Sequence, residues 1–307
     1  FNTPGYYFTP YNVLNPYQVI QDNLNAYESE RFYGKFQLDW EIINDLKFTY
    51  RIGLDSSVGY HETGTPNYSA LYPNTPNYAD ELSTMTGSFS QQTQRRREIN
   101  QDFMLSYEKD FNKDFHFNGL VGFNGNERRY SSHYAAITNL TIPTWYNISN
   151  SAGVPSVSQS TWKRRLYGVY AHLEGSYKNQ LYLTFEARND WSSTLPAGNR
   201  SFFYPGVTAS WIFSENFTPE LKQVIDFGKF RASWGKTGDD AAVYMTNSVY
   251  GQAVSSSTGW GESAFPFTKV GIDAYTAGNI LGSANLSPEM STEFEFGLNM
   301  AFLKNRV

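Results

Sequence analysis

Residues 31–42 read RFYGKFQLDWEI, and the two parities of this stretch separate cleanly. Phe32, Gly34, Phe36, Leu38, Trp40 and Ile42 alternate with Arg31, Tyr33, Lys35, Gln37, Asp39 and Glu41. Successive side chains point to opposite faces only in an extended chain, so this is a strand with one apolar and one polar face. The pattern recurs along the chain. Phe48, Tyr50, Ile52 and Leu54 oppose Lys47, Thr49, Arg51 and Asp55, and Leu181, Leu183, Phe185 and Ala187 oppose Tyr182, Thr184, Glu186 and Arg188. Near the end, Met290, Phe294, Phe296, Leu298, Met300 and Phe302 oppose Ser291, Glu293, Glu295 and Asn299.

Read this way, the chain carries about nine strands, at 31–42, 46–58, 96–109, 115–126, 164–177, 181–190, 203–214, 228–236 and 290–302. Most are longer than the five or six residues usual in a globular sheet. A strand of about 11 residues, tilted near 45°, rises about 25 Å, the height of the lipid-facing band of an outer-membrane barrel. The connections point the same way. Tight polar turns are expected at Asn44-Asp45, Asn112-Lys113, Lys178-Asn179 and Lys304-Asn305, and they alternate with long segments at 59–95, 127–163, 191–202 and 237–289. Only 215–227 breaks the pattern, a turn-side connection with room for a short helical piece from Pro219 to Ile225. Short periplasmic turns opposite long extracellular loops are what a transmembrane barrel has.

Composition narrows the class further. Aromatic residues make up 17% of the 307 residues and charged residues 17%, against nearer a quarter charged in a soluble protein. The chain is nevertheless polar on average, and no run approaches the ~20 apolar residues of a membrane helix. A barrel strand meets lipid only at every second residue, which reconciles the two facts. There are no cysteines, so disulfide frameworks and thiolate metal sites are excluded. The net charge of -5 argues against nucleic acid as a partner. The opening FNTPGYYFTP has neither a basic n-region nor an apolar h-region, and both ends read as interior to a longer chain. About nine strands would leave two open edges, which lipid does not tolerate, so the remaining strands are expected elsewhere in that chain.

At 188–205 the sequence reads RNDWSSTLPAGNRSFFYP, followed by GVTASWIFSE. With NPYQVI at 15–20, LYGVYAHLEGSYKNQLYL at 166–183, GKFRASWGKTGDD at 228–240 and NLSPEMSTEFEFGLN at 285–299, it resembles the SusC/RagA-type TonB-dependent transporters of Bacteroidetes. The resemblance runs along most of the chain. It departs at TGDD, where a G-N-D sequence is usual, and at SANLSPE, where N-P-N-L-K-P-E is usual. It implies that residues 1–307 are an all-β, antiparallel segment of a 22-stranded outer-membrane barrel, lacking the plug domain and the final strands. It also implies energisation through TonB, a SusD-like surface lipoprotein as lid, and glycans or peptides as cargo.

On the residues alone, Asn189, Asp190, Pro196, Gly198 and Asn199 are turn formers, so 188–205 is expected to be a compact loop joining two strands. Arg188, Asp190 and Arg200 are placed to tie it by charge-assisted hydrogen bonds, with Trp191 beside them. Loop aromatics are the candidates for contact with cargo or a partner. Tyr68, Tyr72 and Tyr78 are interleaved with Pro66, Pro73 and Pro76; Trp145-Tyr146 and then Trp260 and Phe265 follow in later loops. Aromatic faces stack on sugar rings and supply contact area to proteins, although packing of loop against loop explains such residues as well. Trp40, Tyr107, Tyr177, Tyr204 and Trp211 are expected in the interfacial girdles. The clusters Arg95-Arg96-Arg97 and Lys163-Arg164-Arg165 open strands after long loops, where they are ordinary charged strand ends or contacts to lipopolysaccharide or a partner.

Nothing in the sequence points to catalysis, a metal or a cofactor. His61, His116, His133 and His172 lack metal-ligand spacing, and no nucleophile elbow, phosphate loop or dinucleotide fingerprint is present. Glu293 and Glu295 share one face of a strand and read as a solvated lumen wall. Three functions remain: active import, a barrel scaffold for other surface proteins, and a secreted carbohydrate-binding or carbohydrate-degrading β-protein. The last leaves strands of lipid-spanning length unexplained.

Overall fold

The computed structural model describes residues 16–71, 85–222, 224–252 and 275–303. Its strands are β1 (Leu24–Ile43), β2 (Leu46–Thr65), β3 (Ser88–Asp110), β4 (Phe115–Thr138), β5 (Ser156–Tyr177), β6 (Leu181–Ser192), β7 (Ser201–Trp211), β8 (Ile225–Asp239), β9 (Tyr250–Gln252), β10 (Tyr275–Ala277) and β11 (Glu289–Phe302). Nine of them form one sheet in the order β1-β2-β3-β4-β5-β6-β7-β8-β11, and β9 pairs with β10 antiparallel in a separate two-stranded sheet. Short helices α1 (Pro16–Asp22), α2 (Tyr68–Leu71) and α3 (Pro219–Lys222) lie in the connections. Among the described residues no helix is long and apolar enough to cross a membrane.

Every expected strand is present, but several are much longer than the alternation indicated. β4 has 24 residues and β5 has 22, so the loop expected at 127–163 shrinks to the residues between Thr138 and Ser156. The added lengths include QQTQR (91–95), ERRYSSH (127–133) and SVSQSTWK (156–163), largely polar on both parities. Where both faces of a strand meet water, backbone pairing continues while the hydrophobic alternation disappears. About 9–11 residues cross the membrane. The longest strands therefore exceed what a crossing needs. β7 errs the other way, ending at Trp211 before a 3₁₀ turn, Phe213–Asn216. The helical piece expected from Pro219 ends at Lys222, and Ile225 already begins β8.

The turns follow from their residues. Lys178 and Asn179 have φ of 52° and 54°, and the Gln180 N–H donates to Tyr177 O at 3.0 Å, closing a primed turn that suits strand twist. Asn112 Oδ1 accepts from the N–H groups of Asp114 (2.8 Å) and Phe115 (3.0 Å), turning β3 into β4. The turn expected at Lys304-Asn305 lies outside the described residues.

Contacts divide the chain into two units. The first, 1–34, 53–99 and 128–163, holds a small apolar cluster of Phe89, Ile137 and Leu140 with Leu24, Tyr146 and Ile148 against it. The second, 35–52, 100–127 and 164–307, is inverted relative to a soluble domain. Its apolar parity is exposed: Phe123, Val169, Leu173, Leu183, Phe185, Phe230, Phe294 and Phe296 all keep large accessible areas. Register makes these residues one band. Leu173 pairs with Phe185, Phe185 with Val207, Val207 with Trp234, and Trp234 with Phe294. The next row in from it is polar throughout, with Glu174, Thr184, Thr208, Ser233 and Glu295 in successive register.

This division sets a direct expectation. Leu183→Arg puts a charge in the band and should cost about 2–4 kcal/mol near midplane, reducing insertion of the full-length protein into outer membrane or bilayers. Thr184→Arg, beside Glu174 on the other face, should insert normally. Equal tolerance of the two changes would contradict the assignment of faces.

Candidate functional site at the loop end of the strands

In the first unit a structured loop is built around two asparagines. Asn67 caps α2, its Oδ1 accepting from Ala70 N at 3.0 Å, while its Nδ2 donates to Leu140 O at 2.8 Å and its N–H to Pro143 O at 2.9 Å. Buried Asn150 closes the 142–150 turn. It accepts from Ile142 N at 2.9 Å and donates to Ile142 O at 2.8 Å and Trp145 O at 2.7 Å. The Tyr146 ring stacks on Phe89 at 6.1 Å, and its hydroxyl donates to Asp22 O at 2.8 Å. Burial, with Asp22 nearby, pushes the Tyr146 phenol above its ordinary pKa, so it remains a proton donor in this bond.

The loop aromatics therefore separate. Tyr68 is 1% exposed and its hydroxyl bonds Asp22, so it is a packing residue and offers no face to a ligand. Tyr146 is half-buried in the same assembly, whereas Trp145 stays 45% exposed on a backbone fixed by Asn150. Tyr72, Tyr78, Trp260 and Phe265 lie outside the described residues. Of the first basic cluster, Arg95 and Arg97 are exposed, and Arg96 sits 5.7 Å over the Tyr130 ring, which stacks on Trp162.

In the second unit the RNDWSSTLP segment proves to be strand for half its length. β6 continues through Arg188, Asn189, Asp190 and Trp191 to Ser192, and only residues 193–200 form the loop. Asp190 is 4% exposed; Arg188 Nε donates to it at 2.8 Å and the Tyr204 hydroxyl donates to its other oxygen. Tyr204 pairs in register with Arg188 and belongs to the polar face, not to the girdle expected from sequence. Gly168 pairs with Asp190, and a Cβ there would run into the Asp190 carboxylate and the Arg188 guanidinium. A glycine is needed so that this ion pair can lie flat on the strand.

A second carboxylate was not singled out from sequence although its motif, TGDD, was quoted. Asp240, whose side chain is 3% exposed, takes a two-pronged bond from Arg164, one prong at 2.9 Å, and accepts from Ser192 and from Thr194 Oγ1 at 3.0 Å. Arg165 reaches Glu127 at 2.7 Å, and its N–H donates to Ser193 Oγ at 2.8 Å. Arg164 and Arg165 thus form internal ion pairs. Across the loop, Asn199 Nδ2 donates to the carbonyls of Asn285 and Leu286, both at 3.2 Å. Gly198 and Arg200 are exposed, and Arg200 contributes its carbonyl to Ser192 N at 3.0 Å. Arg164 of the Lys163-Arg164-Arg165 cluster and Asp240 at the end of TGDD are far apart in sequence, so nothing local in the sequence signals their pairing.

The inner face of this unit carries a hollow of about 760 Å³, lined by His172, Glu186, Tyr204, Lys236, Glu293 and Glu295 among others. Gly206 and Gly235 face each other in register at its floor. His172 Nδ1 lies 2.9 Å from Glu186 Oε1, and Arg231 pairs with Glu295 at 2.9 Å, so these polar wall groups are partnered with each other. Among the described residues no three His, Asp or Glu side chains converge as a metal site would require.

All of residues 1–307 match the family model for the TonB-dependent receptor-like β-barrel. The chain belongs to that family. It is therefore a segment of an outer-membrane β-barrel, and the apolar band is its lipid face. It is 24% identical to SusC of Bacteroides thetaiotaomicron over 322 aligned residues, covering 100% of this chain and 29% of that protein. It is 24% identical to a TonB-dependent receptor of Formosa agariphila over 233 residues, 74% of this chain and 22% of the relative. Among solved structures, the RagAB peptide transporter superposes with a TM-score of 0.77 at 16% identity, over 95% of this chain and 30% of that one. A siderophore receptor of Acinetobacter baumannii matches at 0.51 and 11% identity, over 92% and 39% of the respective chains. The chain thus spans less than a third of the curated relatives described here.

Removing the Asp240 charge should release the 193–200 loop. With one partner gone from a buried pair the cost is about 3–5 kcal/mol, reduced here because Arg164 keeps 24% exposure. Asp240→Asn should lower the temperature at which the full-length barrel loses its heat-modifiable band and expose the loop to protease. Exposed Asp239→Asn should change neither.

Proposed function

We propose that this chain is barrel wall and outer mouth of an active importer in the outer membrane, driven through TonB and closed by a SusD-like lipoprotein lid. Glycans or oligopeptides are its cargo. The observation that carries the reading is the division of the sheet into an outward apolar band and a hydrated inner wall, within a chain of the TonB-dependent receptor family. A wall of polar and charged side chains such as His172, Glu186, Arg231 and Glu295 keeps water on the inner side. Its polar groups give a passing hydrophilic solute partners without one deep, selective well. Asp240 braces the 193–200 loop of the second unit, and Asn150 braces the 142–150 turn of the first.

Among the described loop aromatics, Trp145 is the best placed to touch cargo or lid, being exposed on a braced backbone. Trp145→Ala in the full-length protein should lower uptake or lid affinity about tenfold, roughly 1.4 kcal/mol, with no change in inserted amount. The import reading itself is tested by deleting the TonB-contacting segment from the full-length protein. Growth on defined oligosaccharides and oligopeptides is then measured. Loss of growth on the supporting substrate is the expected result; unchanged uptake would favour the surface scaffold.

A further inference from the structure

The periplasmic end of the lipid face carries a groove that the import reading does not use. It has a volume of about 320 Å³ and is bounded by Phe115, Phe117, Tyr177, Leu181 and Leu183, with Gly175 at its base. All these residues lie on the outward parity of β4, β5 and β6. Gly175 creates the recess, since a Cβ built there meets no atom within 4 Å. Phe115 and Tyr177 make one wall, with ring centroids 4.7 Å apart. At the turn end, the Lys178 ammonium sits 5.2 Å from the centre of the Tyr177 ring, so a cation stands at the mouth of an apolar recess. Lys178 is itself fixed, because its N–H donates to Asp114 O at 2.7 Å and its backbone is locked in the primed turn.

We propose that this groove is a binding site for one glycerophospholipid of the inner leaflet, with an acyl chain over Gly175 and the phosphate on Lys178. Inside a bilayer an acyl chain gains no hydrophobic free energy by leaving its neighbours, so a smooth barrel wall holds no particular lipid. Preference requires packing against a shaped surface together with a paired headgroup, and this groove supplies both. The short turn places the cation on the periplasmic side, where phospholipid is the available amphiphile. The site fixes the rotational position of the wall against the leaflet at the β4–β5–β6 hairpins. This proposal rests on the lipid-face assignment.

The test is native mass spectrometry of the full-length receptor in mild detergent after addition of phosphatidylglycerol or phosphatidylethanolamine at fixed ratio. Heat-modifiable migration is checked on every sample. The wild type should retain one phospholipid, Gly175→Leu should cut retention at least tenfold, and Lys178→Ala should reduce it severalfold. Phe185→Leu, elsewhere on the same face, should retain as much as wild type. If Gly175→Leu fails to fold, Lys178→Ala and its restoration by Lys178→Arg decide the matter. Equal retention by wild type and either groove variant, or retention of lipopolysaccharide alone, would overturn the site. Loss of heat-modifiable migration in the wild type would instead count against the barrel assignment itself.

Discussion

Inside hydrocarbon a backbone amide has no water to bond, so every N–H and C=O of a crossing strand must find another strand. That requirement joins nine strands in unbroken neighbour order and makes register carry the chemistry. Because side chains alternate exactly with position, a one-residue slip would turn Phe185 inward and Glu186 into lipid. The band from Leu173 through Phe185, Val207 and Trp234 to Phe294 exists only because each pair is in step. The polar inner wall and the groove at Gly175 both follow from that common register.

What the sequence made legible was whatever lipid enforces. Alternation located each strand where one face meets hydrocarbon, and asparagine-containing turns located the hairpins. Past the lipid band that signal stops, because Gln92, Arg95 and Arg129 sit on strand extensions that are largely polar on both parities. The strands continue there on backbone pairing and on cross-strand contacts such as Gln92 with Ser132, which leave no apolar alternation, and the sequence read the extensions as loop. The same limit explains Tyr204. An aromatic near a strand end suits an interfacial girdle by type, but its pairing with Arg188 places it on the inner face, where its hydroxyl donates to Asp190.

The candidate site was legible in part. The RNDWSSTLP segment marked the right place, yet its loop is held chiefly by Asp240, some fifty residues further on in sequence. Spacing along one strand reveals local pairs such as Arg188 with Asp190; it is silent about partners brought together by β7 and β8. Trp145 and Tyr146 illustrate the reverse case. They are neighbours of one chemical type, and only the Asn150 turn decides that Tyr146 packs on Phe89 while Trp145 remains exposed.

The central claim concerns which face meets lipid, and the absence of cysteine from this segment makes a single-site spin-label scan direct. Labels placed one at a time from Leu181 to Arg188, in a cysteine-free full-length receptor in bilayers, would be read by collision with oxygen and with a water-soluble nickel complex. The account predicts a period of two, with oxygen accessibility high at 181, 183 and 185 and low at 182, 184 and 186. A flat profile, or one of opposite phase, would contradict it.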